Sequence, residues 1–169
     1  NNESRKVVIS GSFRKHYSKI ITYIKEFEEC DWQVLSPKKS NIVNHESDFI
    51  ILESDKDQSN TQIENNHLNA IRNADILYVV NPEGYIGVST SLEIGWALNC
   101  GVRVILQNKP TDSIIGELCE IISSPKKVDK MFSKIENDIF STLSLNTSIS
   151  QLQKYISKVV VKRGFSDES

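Results

Sequence analysis

The feature that most constrains the fold is a strand–loop–helix–strand unit at the centre of the chain. The run Asp75–Val80 is apolar, rich in β-branched residues, and has the length of a buried strand. A glycine-containing loop and a helical pattern follow, the helix ends at Gly101, and Val102–Leu106 forms the next strand. Such a unit is typical of a parallel sheet whose strands are connected by helices.

The rest of the chain repeats this alternation. Three further strands are predicted at Lys6–Ser10, Trp32–Ser36 and Lys126–Val128. Helical patterns are predicted from the loop after strand 1 to about Cys30, and at Thr61–Asn73, Ser113–Ile122, Met131–Leu143 and 148–161. We therefore expect an α/β protein: a Rossmann-like, parallel five-stranded sheet in the flavodoxin-like order 2-1-3-4-5, with helices on both faces.

One compact domain accounts for most of the sequence. Residues 1–145 form the predicted α/β domain, 146–161 a C-terminal helix, and 162–169 a polar tail. The segment 37–60 is polar except for Phe49–Leu52, which could form an extra short strand. The chain begins with Asn1 and not with Met, so we expect it to be trimmed from a longer protein.

Composition favours a soluble, cytoplasmic protein. A net charge of −2 gives no general attraction to a nucleic-acid polymer or a membrane surface. The sequence contains no apolar run of about 18 residues and no signal-peptide pattern. The three cysteines are widely spaced in apolar surroundings, which favours free buried thiols over disulfides or a zinc site. The histidines lack metal-ligand spacing, so no metal site is predicted. No cofactor is predicted either.

Two loops are expected to share the ligand crevice. In the order 2-1-3-4-5 the switch point lies between strands 1 and 3, so the loops Gly11–Lys15 and Pro82–Ser91 would face each other there. Gly84 and Gly87 would let the backbone approach a ligand. The free N–H groups at the start of the next helix would attract anions.

Glu93 is the leading catalytic candidate, and two interpretations of it remain open. Thr90 and Glu93 fit the Ser/Thr-x-x-Glu capping box, in which the glutamate satisfies the helix start. The same first-turn position would also hold an ionised carboxylate that can attack a sugar carbon and form a covalent intermediate.

The loop after strand 1 is the predicted phosphate site. Two cations, Arg14 and Lys15, follow Ser10-Gly11-Ser12, and cations at a helix start are disfavoured by the dipole unless they hold an anion. The loop is neither a Walker A loop nor a dinucleotide fingerprint.

Other candidates each have a structural alternative. Ser89, Thr90 and Ser91 could cap the helix, or one or two of them could contact a ligand. Tyr85 could stack on a base or cover the core. His67 could be structural or catalytic, since its helix is expected to end near the same crevice.

Three segments together resemble the nucleoside 2-deoxyribosyltransferase family, and in particular its branch of 2′-deoxynucleoside 5′-phosphate N-hydrolases. These segments are Val8–Arg14, His67–Asp75 and Gly84–Ala97. The resemblance implies a five-stranded Rossmann-like domain that forms homodimers or larger oligomers. It also implies that Glu93, in a Glu-x-Gly-x-Ala segment, is the nucleophile that attacks C1′ and releases the base.

The same resemblance implies a nucleotide substrate. The Gly-Ser-x-Arg loop of the hydrolases cradles a 5′-phosphate, which would give this role to Ser12 and Arg14. The transferases carry an acidic residue six positions before the nucleophile, where this chain has Gly87. Ser113 loosely matches a serine that the hydrolases contribute across the dimer interface.

Two positions depart from the family pattern. His67 stands where the family has an Asp that assists proton transfer or contacts the substrate, and Val8 replaces a Tyr. A histidine can act as general acid or base, so His67 is expected to protonate the departing base.

The expected function is therefore an N-glycosidase acting on a nucleoside 5′-monophosphate or analogue through a covalent glycosyl-Glu93 intermediate. The alternatives are a non-catalytic nucleotide-binding sensor module and a transferase that exchanges bases on nucleosides. A phosphoribohydrolase of the cytokinin-activating type is a further alternative, which Pro82–Glu93 matches only in part. The tail 162–169 resembles the opening of MazG-like pyrophosphohydrolase domains and could begin a second, fused domain.

Overall fold

A computed structural model describes residues 4–37, 58–144, 151–154 and 156. The five strands are β1 (Lys6–Gly11), β2 (Gln33–Ser36), β3 (Ile76–Val80), β4 (Arg103–Leu106) and β5 (Glu120–Ile121). The helices are α1 (Phe13–Glu29), α2 (Asn60–Arg72), α3 (Val88–Asn99), α4 (Ser113–Leu118) and α5 (Pro125–Ser144), and a 3₁₀ turn spans Pro82–Gly84.

The described strands form one parallel sheet in the order β2-β1-β3-β4-β5. The predicted fold class and strand order are confirmed. Because consecutive strands are parallel, each connection must cross the sheet, and helices make these crossovers. The carboxyl ends of β1 and β3 lie side by side, with Gly11 paired to Val80. The topological switch point therefore lies between β1 and β3, as predicted.

The sheet is covered on both faces. Alternate residues of the strands point to opposite sides, so Val7 and Ile9 of β1 enter one core cluster while Val8 enters the other. The first cluster is completed by side chains of α1 and α5: Ile20, Tyr23, Ile24, Phe27 and Val128. The second is completed by side chains of α2 and α3: Ile71, Ile94 and Ala97.

The end of the sheet differs from the prediction. The segment Lys126–Val128 is not a strand but part of α5, and the predicted helix Ser113–Ile122 stops at Leu118, after which β5 begins. Pro125 occupies the first position of α5, and the Ser124 hydroxyl accepts the N–H of Lys127, as an N-cap does. At β5, Glu120 pairs with buried Arg103 of β4, which holds this two-residue strand on the sheet edge.

Some predictions fall outside the described residues. The extra strand at Phe49–Leu52 and the tail 162–169 cannot be compared with the structure, and the division into domains stays a prediction. Within the predicted helix 148–161, residues 151–154 and 156 are helical. Among the helices described, none has the length and apolar character needed to span a bilayer.

Candidate functional site

The loops after β1 and β3 meet at the carboxyl edge of the sheet. A Cβ atom at Gly11, where φ is +156°, would lie 2.7 Å from the carbonyl oxygen of Val80, so only glycine allows the two strand ends to approach this closely. Beyond the strands, the Lys15 ammonium lies 3.6 Å from the centre of the Tyr85 ring. The His16 ring packs edge-on against the same tyrosine, with centroids 6.4 Å apart. The predicted pairing of the two loops is thus observed.

The loop after β3 is held by the loop after β4. Asn81 is fully buried; its side-chain amide donates to the carbonyl oxygen of Asn108, and its oxygen accepts the N–H of Asn108, at 2.8 and 2.9 Å. Gly84 has φ +79°, and a Cβ atom there would lie 2.5 Å from the carbonyl oxygen of Lys109. The sequence assigned Gly84 to ligand approach, but protein packing alone requires a glycine there.

Glu93 is not a capping residue. The N-cap of α3 is Gly87, and none of the described side chains caps this end of the helix. Glu93 therefore stands in the second turn and not the first, and the capping-box interpretation of Thr90 and Glu93 is wrong. The prediction that Ser89, Thr90 or Ser91 caps the helix is wrong too. The Ser91 hydroxyl instead donates to the carbonyl oxygen of Gly87 at 3.0 Å. Only 7% of Glu93 is exposed.

His67 connects Glu93 to the sheet. Its Nε2 lies 3.5 Å from Oε2 of Glu93 and 3.1 Å from the hydroxyl oxygen of Ser10, at the end of β1. Its Nδ1 lies 2.6 Å from the hydroxyl oxygen of Ser36, at the end of β2. Both ring nitrogens are thus engaged. His67 lies in the middle of α2 and not at its end, and α2 is fixed to α3 by the Trp96 indole, which donates to the carbonyl oxygen of Leu68 at 2.9 Å.

A second carboxyl group, Glu64, lies one helical turn before His67 on α2. Its Oε1 is buried and has no hydrogen-bond partner among the described residues. Burial raises the pKa of Glu64, the nearby Glu93 carboxylate raises it further, and His67 lowers it. Two carboxyl groups and an imidazole, drawn from two helices, therefore interact at the carboxyl edge of the sheet.

The predicted phosphate-binding residues do not all lie together. Ser10 is buried and contacts His67, so it belongs with Glu93 and not with the loop that follows β1. Ser12 is the N-cap of α1 and accepts the N–H of Lys15, which gives its hydroxyl a structural role. Arg14 and Lys15 are exposed in the first turn of α1.

The remaining predicted residues surround this edge. Tyr85 is 41% exposed, with Lys15 over its ring, so it does not belong to the core. Gly87 begins α3, and Ser89 is exposed in the first turn of that helix. Ser113 is the exposed first residue of α4.

No sequence pattern identifies Glu64 or Ser36 as site residues. Glu64 lies in a mostly polar stretch of the chain, and Ser36 ends a strand before a proline. Contacts across 31 and 57 positions bring Ser36 and Ser10 to His67, and no local pattern encodes them. In the parts of the chain that the structure covers, no group of three or more His, Cys, Asp or Glu side chains could hold a metal ion.

Comparison with known proteins gives matches of structure but not of sequence. No family model matches the chain, and a search of curated proteins gives no significant match. A conserved protein from Enterococcus faecalis V583 matches 78% of this chain and 98% of its own, with 12% identity and a TM-score of 0.55. The Clostridium botulinum CMP N-glycosidase BcmB matches 76% of this chain and 98% of its own, with 17% identity and a TM-score of 0.48. At 12% identity, the match to the Enterococcus faecalis protein shows a shared fold and nothing finer.

Proposed function

We propose that this protein is an N-glycosidase that cleaves the bond between base and sugar in a nucleoside 5′-monophosphate or a close analogue. One observation carries the proposal. The Glu93 carboxylate is buried at the carboxyl edge of the sheet, free of any capping role, and faces His67 at 3.5 Å. A carboxylate that does not stabilise its own helix, at the position where α/β proteins bind ligands, is suited to chemistry.

Glu93 would act as the nucleophile. Departure of the base leaves positive charge on C1′, and a carboxylate facing that carbon stabilises the charge and then forms a covalent ester. Water then attacks C1′, and the sugar phosphate is released.

His67 would hold the nucleophile in place. Ser10 and Ser36 engage its two ring nitrogens, from the ends of β1 and β2, so its ring has a fixed orientation toward Glu93. An imidazole held in this way restricts the glutamate to one rotamer, and positioning of this kind contributes large factors to rate. We therefore assign His67 a positioning role, in place of the proton delivery to the base that the sequence predicted.

The substrate's phosphate would lie toward the start of α1. Lys15 and Arg14 are exposed there, and Lys15 contacts Tyr85 of the opposite loop. A phosphate beside these cations gains charge-assisted hydrogen bonds, and the absence of an acidic residue at Gly87 avoids repulsion. The Tyr85 ring, 41% exposed, offers a face for a base.

The test is a chromatographic screen of nucleosides and nucleoside 5′-monophosphates for free base, comparing wild type with Glu93→Gln. We expect base release from at least one monophosphate, slower release from the matching nucleoside, and loss of several powers of ten in Glu93→Gln. Nucleotide binding without base release would favour the non-catalytic sensor module. Equal turnover by Glu93→Gln and wild type would remove the nucleophile assignment.

A further inference from the structure

Glu64 has a buried carboxyl oxygen, which is unusual for a glutamate on the surface of a helix. It precedes His67 by three residues on α2, so both side chains lie on the same face of the helix. One of its carboxyl oxygens is fully buried, and no described residue donates a hydrogen bond to it. A buried oxygen that carries charge without a partner is costly, whereas the protonated acid lowers that cost. The environment therefore favours the neutral form of Glu64.

The environment of Glu93 differs. Its Oε2 lies 3.5 Å from Nε2 of His67, and among the described residues neither of its carboxyl oxygens is buried without a partner. The charged and titratable groups that act on Glu64 are this same Glu93, from α3, and His67, from its own helix. Repulsion by the Glu93 carboxylate adds to the effect of burial and raises the pKa of Glu64. A buried carboxyl group without a hydrogen-bond partner, next to a second carboxyl group that contacts a histidine, resembles the usual arrangement of an acid and a nucleophile.

Base departure needs such an acid. A purine or pyrimidine leaves poorly as an anion, and a proton placed on it as the bond breaks makes it a neutral leaving group. His67 has both nitrogens engaged by serine hydroxyls, so it is poorly placed to supply that proton. We propose that Glu64 is the general acid that protonates the departing base, an inference that rests on the proposed N-glycosidase function.

The reaction balances with water as the only co-reactant. In the first step the C1′–N bond breaks, its electron pair stays on the base, the Glu64 proton moves to the base, and a Glu93 oxygen bonds to C1′. In the second step water attacks C1′, the bond from C1′ to Glu93 breaks, and the water's proton returns to Glu64. The products are free base and sugar phosphate, and both carboxyl groups regain their starting states.

The experiment compares two leaving groups in wild type, Glu64→Gln and a control, Glu29→Gln. An ordinary purine nucleotide needs a proton on its base, whereas an N7-methylated purine nucleotide carries a positive charge and leaves as a neutral base without one. Glutamine keeps the shape of Glu64 but has no proton to give. Glu29 is an exposed glutamate at the far end of α1, so its variant should match wild type.

We expect Glu64→Gln to lose about 10²- to 10⁴-fold in kcat on the ordinary nucleotide and less than tenfold on the methylated one. Equal losses on the two substrates, or no loss on either, would overturn the assignment of Glu64 while leaving the N-glycosidase proposal in place. Failure of wild type to release base from any substrate would overturn both. Because the two substrates are compared within one variant, partial misfolding cannot produce the difference.

A measurement without turnover tests the same point. Carboxyl-carbon NMR titration, with the Glu64 signal assigned by its disappearance in Glu64→Gln, reads the protonation of this group directly. We expect its midpoint above that of the Glu29 control. A midpoint at or below the control would show that Glu64 is ionised when the reaction begins, and would overturn the proposal.

Discussion

Replacing Glu93 by aspartate is the sharpest test of the proposed nucleophile, because it keeps the charge and moves it. Removing one methylene draws the carboxylate back by about 1.5 Å if α3 stays in place. The distance from His67 Nε2 to the carboxylate would grow from 3.5 Å to about 5 Å. The hydrophobic sides of α3 are packed against the sheet through Ile94 and Ala97, so the helix has little freedom to follow.

The expected loss follows from this displacement. A nucleophile reacts from about 3–3.5 Å, and a misplacement of 1 Å can cost on the order of 10²-fold in rate. We therefore expect Glu93→Asp to lose about 10²-fold in kcat, with a smaller change in KM, because phosphate binding at α1 is untouched. Glu93→Gln, which also removes the charge, should lose several powers of ten.

Stability must be measured alongside activity, since Glu93 is buried. Deleting a buried methylene costs about 0.8 kcal/mol, which corresponds to a fall of about 2–3 °C in Tm for a chain of this size. Glu29→Asp, the same change at an exposed position, is the control for the aspartate substitution itself. The assay is base release measured by chromatography, at a temperature where thermal unfolding shows every variant folded.

A folded Glu93→Asp variant that releases base within twofold of wild type would contradict the assignment of Glu93 as the nucleophile. That result would mean that the Glu93 carboxylate does not attack C1′, because withdrawing an attacking group by about 1.5 Å must slow the reaction. A loss that appears only in KM would also contradict it, since it would assign Glu93 to binding and not to the chemical step.

Further predictions test the scaffold and the charges around the site. Gly11→Ala should destabilise the fold by about 2–4 kcal/mol, because the new Cβ atom would lie 2.7 Å from a carbonyl oxygen and the backbone would be strained. Gly95→Ala in α3 should stabilise the fold by about 0.5–1 kcal/mol, because a Cβ atom there meets nothing within 4 Å. Urea unfolding measures both, and a harmless Gly11→Ala would contradict the close approach of β1 and β3. Ser36→Ala should lower kcat about tenfold with little change in KM, because the Nδ1 atom of His67 loses its contact with the Ser36 hydroxyl. Unchanged kinetics would show that this contact is dispensable. Since the pKa of Glu64 is raised in the folded state, its contribution to stability falls as pH rises from the ordinary value of 4.5 through the raised one. The Tm of Glu64→Gln should therefore equal that of wild type below pH 4.5 and exceed it by an increasing margin above pH 4.5. A difference in Tm that stays constant across pH would contradict the raised pKa of Glu64.

The fold could be predicted because it depends on patterns that are local and repeated. Buried strands such as Ile76–Val80 are continuous apolar runs, and each is followed by a helix of clear periodicity. A parallel sheet with right-handed crossovers leaves few strand orders to consider, and the position of the ligand edge follows from the order. The location of Glu93 at this edge was therefore predictable, although its precise environment was not.

Two errors have a common cause, since in each a local motif competed with a longer-range contact. The Thr90–Glu93 pattern fits a capping box, but the 3₁₀ turn and the loop after β3 start α3 a turn earlier, at Gly87. Lys126–Val128 was predicted to be a strand, but the edge strand is Glu120–Ile121. The Glu120 carboxylate accepts a hydrogen bond from Arg103 of the neighbouring strand. A strand of two residues has no periodicity of its own, so only its partner identifies it.

The assembly around His67 nevertheless follows from the same pattern that builds the core. Along β1, Val7 and Ile9 face the cluster of α1 and α5, so Val8 and Ser10 must face α2 and α3. A shift of β1 by one residue would turn the Ser10 hydroxyl toward the apolar cluster of α1 and α5, where burying it without its His67 contact would be costly. The alternation that fixes the strand thus also places a hydroxyl beside the His67 ring. What the sequence did not reveal was which side chain of α2 would meet that hydroxyl, because helix position depends on packing such as the bond from Trp96 to Leu68. The place of Ser10 was in this sense predictable from the register of β1, whereas the contacts of Ser36 and Glu64 with the site required the structure.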